Sequence, residues 1–344
     1  MNILLTSAGR RGYLVNYFKE AVGNAGEIHV ANSSPNSPAM KNGDQSVVTP
    51  LIHSEDYIPF LLKYCLDQDI DAIIPLFDID LPVLANHISR FDEIGVKVIV
   101  SRKEVITICN DKWLTFNYLQ LNGFKTPETF LSVNDALEAL RKNVVSFPLI
   151  IKPRWGMGSI SIFEVENRNE LEVLFNKTKR NILSTYLSFE SQQNIENCVV
   201  IQEKLKGQEY GLDVINDLNG NYKVTCIKKK IAMRSGETDR AETITDSRLS
   251  RMGEKLSNQL KHIGNLDVDA FIVNEIPYVL EMNARFGGGY PFSHLAGVNL
   301  PKAIVMWLND EFVCDTLLAG KPGIVGYKNI EIIDDQKIAS LILS

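Results

Sequence analysis

The stretch DVDAFIVNEIPYVLEMNARFGGG, residues 267–289, decides how the rest of the chain is read. Two runs rich in branched and aromatic residues flank Asn274 and Glu275 and predict an antiparallel hairpin. In the second run Glu281 and Asn283 stand two apart. On a strand that spacing puts both side chains on one face, about 6–7 Å apart. Their neighbours in VLEMN are apolar, so an ordinary solvated carboxylate is the weaker reading of Glu281. A carboxylate and an amide oxygen on one face suit Mg²⁺. A second carboxylate depends on register, because partners across a ladder share a face. A three-residue turn, 274–276, pairs Asp269 with Glu281 and Asp267 with Asn283. A two- or four-residue turn points Asp269 away. Asp269 is the expected further ligand, with Asp267 the alternative.

Upstream, FPLIIKPRWGMGSISIFEV (147–165) places a basic, glycine-bearing centre between two apolar runs. Lys152 lies in a strand of branched residues, a costly place for an ammonium unless it meets an anion. Gly156 and Gly158 let the backbone curl so that its free N–H groups face phosphate oxygens. Alone, the stretch reads equally well as a hairpin whose lysine reaches water. Its companions change the weight. Lys112 opens a helix in CNDKWLTF, and VIQEKLKGQEYGLDV offers Glu203 and then Glu209. In IKKKIAMRSGETDR, Lys228 and Lys230 share a strand face, and Arg234 follows in a mobile-looking turn. Lys230 and Arg234 are candidates for phosphate or substrate contact, with a solvated charged loop the competing reading.

Other nucleotide motifs are absent. The one Gly-Lys pair, Gly320-Lys321, is followed by Pro322, which excludes a P-loop. TSAGRRG has Ser7 where a dinucleotide fingerprint needs its first glycine, and Asn32 stands where an acidic residue is expected.

In order and spacing these motifs resemble the ATP-grasp superfamily, over roughly residues 1–310. EMNAR is similar to the EMNPR of carbamoyl-phosphate synthase halves. The resemblance implies an ATP- and Mg²⁺-dependent (or Mn²⁺-dependent) ligase that makes an acyl phosphate and couples it to an amine. It implies that Lys112 and Lys152 contact the nucleotide phosphates and that 154–161, with Gly156, Gly158 and Ser159, form the flap. Glu203 and the Lys204–Leu205 backbone would meet adenine, and Glu209 the ribose. Glu281 and Asn283 would bind metal, joined by Asp269 on the register above, and Arg285 would stabilise the transferring phosphoryl group, beside Lys230 as the candidate contact already named. The backbone of 287–289 would hold an oxyanion or the substrate carboxylate. The chain has one such unit and no visible repeat, so a stand-alone carboxylate–amine ligase fits better than carbamoyl-phosphate synthesis. The rival readings are a non-catalytic nucleotide-binding module and a half-enzyme working with a partner chain.

The remaining sequence frames this site. Strands alternate with helices to about residue 105, predicting a four-stranded parallel sheet covered on both faces. Its third strand ends in PLFDID, where Asp78 or Asp80 could meet a substrate amine, with helix capping the favoured role. The expected division is a 1–105 α/β domain, a 106–190 subdomain with the flap, and a 191–344 α+β subdomain with antiparallel sheets. The polar segment 184–197 reads as a loop or mobile link. Formal net charge is −6, which argues against a nucleic-acid partner. No apolar run approaches the length of a membrane span. Five scattered cysteines without CxxC spacing predict a reduced, cytoplasmic protein with no zinc site. Family resemblance leaves a homodimer open.

Overall fold

The structure, a computed structural model, describes residues 1–156 and 160–332. Gly158 and Ser159 of the expected flap lie outside the described residues.

The first sheet contains β1 (Asn2–Thr6), β2 (Ile28–Asn32), β3 (Gln45–Val48), β4 (Ile70–Pro75) and β5 (Lys97–Val98). All pairs are parallel, in the order β3-β2-β1-β4-β5. Ile3, Leu4 and Leu5 are fully buried, as a strand covered on both faces requires. Four strands were expected and five are present. The missed one, QSVV, is short and only partly buried, so it lacks the apolar run that marks the others. The strand order reverses between β1 and β4, and ligands collect beyond the carboxyl ends of such a pair.

The second sheet contains β6 (Thr129–Phe130), β7 (Leu149–Pro153), β8 (Phe163–Val165) and β9 (Val199–Glu203), all antiparallel in the order β6-β9-β7-β8. It has its own core around Leu149, Ile151, Trp155 and Ile201. Segment 184–197 is not simply a loop: helix Leu187–Ser191 and a following turn of 3₁₀-helix fold back, with Leu187 buried in that core.

The third sheet contains β10 (Gln208–Asn216), β11 (Tyr222–Arg234), β12 (Glu237–Ile244), β13 (Asn265–Val273), β14 (Ile276–Asn283) and β15 (Val325–Tyr327). Its order is β14-β13-β10-β11-β12-β15, antiparallel throughout. RSGETDR is therefore no loose loop. It is the tip of a long hairpin, turning at Ser235 and Gly236, both with positive φ. This sheet shares apolar clusters with the first: Leu4 and Ile73 with Val214 and Met282, and Phe18 with Phe286 and Tyr290. The first and third sheets thus form one body, and the second sheet stands across a cleft from it.

The 267–289 hairpin holds a surprise. Val273 pairs with Ile276, so the turn has two residues, not three. The register then shifts at Asp269/Ala270, where a bulge absorbs one extra residue of β14. Beyond the bulge Asp269 pairs with Glu281 and Asp267 with Asn283. The expected partners meet by an unexpected route.

Candidate active site

One face of the third sheet carries the charges. In register across four strands stand Glu281 and Asn283, Asp269 and Asp267, Glu209 and Asp213, and Lys228 and Lys230. Gly211 lies at their centre between the two lysine stems; a Cβ there would be in ordinary contact with both Cε atoms, at 3.5 Å. Gly287 leaves no room for a side chain unless Asp267 moves, because its Cβ would fall 2.1 Å from Cγ of Asp267.

Most of these charges compensate each other. Lys230 Nζ donates to Glu209 Oε1 and to Asp269 Oδ1, each at 2.6 Å. Burial opposes its charge, but Asp269 and Glu209 outweigh it and raise its pKa. Lys228, 1% exposed, pairs with the fully buried Asp213, which also accepts from Ser293 Oγ at 2.5 Å. Lys228 is thereby tied into the interior. Arg285 donates to Asp78 Oδ2 at 2.9 Å and to Asp267 Oδ2 at 3.0 Å. Burial again opposes, and Asp78 and Asp267 prevail, raising its pKa. Arg234 is exposed at the hairpin tip, 3.0 Å from Asp239, and does not line the cleft.

Across the cleft, Lys152 on β7 is 5% exposed, with Nζ 3.8 Å from Glu281 Oε2. Burial lowers its pKa to about 8, with Glu281 opposing and Lys112 adding to the fall. Burial works against ionised Glu281, but Lys112, Lys152 and Arg285 together hold its carboxyl below the usual range. Lys112 opens helix Lys112–Leu121, whose N-cap Asp111 accepts from the backbone of Trp113 and Leu114. Its Nζ donates to the Gly156 carbonyl at 2.6 Å, and it makes no ion pair among the described residues. Arg154, at the start of the expected flap, is committed elsewhere. Its Nε and Nη2 grip Asp111 at 2.8 and 2.7 Å, fixing the helix that carries Lys112.

Glu203 ends β9 and accepts from the Glu128 backbone at 3.2 Å. Lys204 and Leu205 lie in the link from β9 to β10, between the second and third sheets, and the Lys204 side chain turns to Glu164 at 2.6 Å.

Two spaces that share Asp78, Glu281 and Asn283 in their walls occupy the cleft. A cavity of about 300 Å³ is lined by Lys230, Asp269, Glu281, Asn283 and Arg285, and reaches Arg11 and Asp78 of the first domain. A narrow space of about 10 Å³ beside it is bounded by Asp78, Lys112, Gly156, Glu190 and Glu281. Neither aspartate of PLFDID caps a helix. Asp80 is fully buried on Thr6, Ser7 and Tyr57, whereas Asp78 faces the cleft. Sequence reasoning missed Arg11 and Glu190. Arg11 had a signal, since it follows the strand beside the switch point. Glu190 had none, because it sits in a polar segment without periodicity. Burial, then Asp78, push the Glu190 carboxyl up to about 7, with Lys112 opposing.

The ATP-grasp domain family matches residues 109–289, more than half the chain. The chain belongs to the ATP-grasp family. A PylC-like N-terminal domain matches residues 3–99. The D-alanine–D-alanine ligase A of Bacillus cereus is 23% identical over 253 residues, 66% of this chain and 77% of that one. The carbamoyl phosphate synthase large chain of Pyrococcus furiosus is 22% identical over 257 residues, 69% of this chain and only 23% of that one. Among solved structures, the biotin carboxylase domain dimer of Hydrogenobacter thermophilus 2-oxoglutarate carboxylase, in complex with MgADP, ADP and bicarbonate, superposes with a TM-score of 0.71. It is 14% identical, covering 91% of this chain and 70% of that one. Among the described residues no helix is long and apolar enough to cross a membrane.

The site fits the magnesium that ATP-grasp chemistry implies. Mg²⁺ typically takes one or two carboxylates and completes its shell with water and substrate phosphates. Glu281 and Asn283 supply two oxygen-bearing side chains on one strand face. Among the described residues no three Asp, Glu, His or Cys side chains gather into an all-protein cage. Asp269 faces Glu281, but its Oδ1 is held by Lys230.

Proposed function

We propose that this chain joins a small-molecule carboxylate to an amine through an acyl phosphate, consuming MgATP and releasing ADP and phosphate. The observation that carries the reading is the meeting of Glu281 and Asn283 on the third sheet with Lys112 and Lys152 from across the cleft.

In this reading the link 204–205 receives adenine, with Glu203 at its edge and Glu209 at the ribose. Lys112 and Lys152 hold the phosphates. Lys112 has no carboxylate partner among the described residues, so its charge is available to an anion. An incoming phosphate would raise the pKa of Lys152, which burial lowers. Glu281 and Asn283 would hold Mg²⁺, which when bound neutralises charge on the phosphate oxygens. Arg285, braced by Asp78 and Asp267, presents a fixed cation to the phosphoryl group in flight; a braced charge needs no reorganisation during transfer. Enclosure by the second sheet and helix Leu187–Ser191 keeps water from the acyl phosphate.

Glu281→Gln is expected to lower metal-dependent turnover by about 10² or more while leaving the fold intact. ATP-dependent phosphate release, measured over a matrix of carboxylates and amines, is the assay. Wild-type turnover in that variant would remove the metal assignment. Lys152→Ala is expected to weaken ATP binding by about tenfold, read by calorimetry.

A further inference from the structure

The cations of the cleft divide into two groups. Lys152, Lys228, Lys230 and Arg285 each have a carboxylate within ion-pair distance. Lys112 and Arg11 have none among the described residues. A cation in a desolvated cleft without a counter-charge is costly, and such a site favours an anion. Two cations without an ion-pair partner point to two anions. The triphosphate accounts for Lys112, and Arg11 remains.

Arg11 follows β1, and Asp78 follows β4, the two strands that flank the switch point. Both line the larger cavity. Both hydrogen bonds of the Arg11 guanidinium leave from Nη1, one to the Leu76 carbonyl and one to the Phe286 carbonyl at 3.0 Å. They fix the group while Nη2 keeps no acceptor among the described residues. Burial, then the charge of Arg285, lower the Arg11 pKa, with Tyr13, Asp78 and Glu237 opposing. Asp78 shows the complementary lack. Its Oδ2 serves Arg285, and its Oδ1 is buried with no hydrogen-bond partner. A buried carboxylate oxygen left without a hydrogen bond is costly, so it marks a place for a donor.

We propose that Arg11 and Asp78 form a recognition subsite for the amine substrate, and that this substrate is an amino acid, its carboxylate on Arg11 and its ammonium on Asp78 Oδ1. This rests on the ligase reading above. The carboxylate taken by Arg11 is not the one phosphorylated. Phosphorylation ties up that carboxylate at the metal face, whereas the carboxylate of the incoming amine keeps its charge from binding to product. Arg11 is thus a specificity residue and takes no part in phosphoryl transfer.

Binding tests the subsite without knowledge of the donor. Pools of free amino acids, of their α-carboxamides and of simple alkylamines are titrated against the protein with MgADP, read by thermal shift and calorimetry. Free amino acids are expected to bind about tenfold or more tighter than their α-carboxamides. Arg11→Gln should bring the two within about twofold, and Arg11→Lys, which keeps the charge, should retain much of the preference. Circular dichroism checks each variant's fold. Equal binding of amino acids and carboxamides by the wild type, a preference that survives in Arg11→Gln, or no amino-acid binding would each overturn the subsite. Failure of the ligase reading looks different: no carboxylate–amine pair releases phosphate, although amino acids still bind with the Arg11-dependent preference.

Discussion

Lys228 and Lys230 are two residues apart on one strand, and Lys228 is the more deeply buried. The repeated lysines in IKKKI announced a charged face but not which charge would be interred. Asp213 decides it, lying at zero exposure on the neighbouring strand, paired with Lys228 and joined there by Ser293 from helix Tyr290–Leu295. Nothing local marks Asp213, because EYGLDVIND reads as a half-polar strand. Lys228→Met therefore strands a buried carboxylate and is expected to cost about 3–5 kcal/mol in urea denaturation. Adding Asp213→Asn should recover a large part of that loss. A single variant as stable as wild type would show that the pair is not interred.

His262 gives the same kind of residue-scale consequence for pH. Its Nε2 lies 2.9 Å from the Val214 carbonyl, so that nitrogen carries the proton, and Asn216 stands beside Nδ1. Burial lowers its pKa to about 4 from the ordinary 6.5, the Val214 bond opposing. Between these values the unfolded chain binds a proton that the folded chain does not, so stability falls as pH drops from 6.5 to 4. The contribution is on the order of 3 kcal/mol. Unfolding free energies measured across that window should show the fall, and His262→Gln should flatten it.

At the scale of the element, the 267–289 hairpin shows what pattern can and cannot deliver. Alternation and the Glu281–Asn283 spacing were legible, because a period of two is written in side chains. The turn was not. Asn274 and Glu275 both have positive φ, 48° and 67°, a conformation usually signalled by Asn-Gly. Glutamate in the glycine position hides the two-residue turn, and the bulge that restores the pairing has no sequence mark. Glu275→Gly is expected to stabilise the protein by about 0.5–1 kcal/mol, read as a rise in Tm. The exposed Arg248–Glu275 pair lost in exchange is worth little. A fall in Tm would show that the glutamate is not strained. The bulge also sets the hairpin tip apart from the site, since pairing from Asp269 onward follows its own register.

At the scale of the whole molecule, the alternation of strands and helices made four of the five strands of the first sheet legible. What was hidden was contact between distant segments. Helix Leu187–Ser191, in a stretch without periodicity, bridges to the first domain by stacking Phe189 on His53, with ring centroids 3.3 Å apart. Phe189 remains 48% exposed, so its loss costs little core. Phe189→Ala is expected to leave Tm within a few degrees of wild type and to speed amide exchange through 184–197. Unchanged exchange there would show that the stack does not hold the segment.

Gly287 connects these scales. A single methyl group at that position would displace the Asp267 carboxylate, which braces Arg285, which in turn holds Asp78 on another domain. A saturation library at position 287, selected for activity, should therefore return glycine alone. The substitutions it discards would be lost through a shift in how two domains meet, although position 287 bears no side chain to touch either substrate.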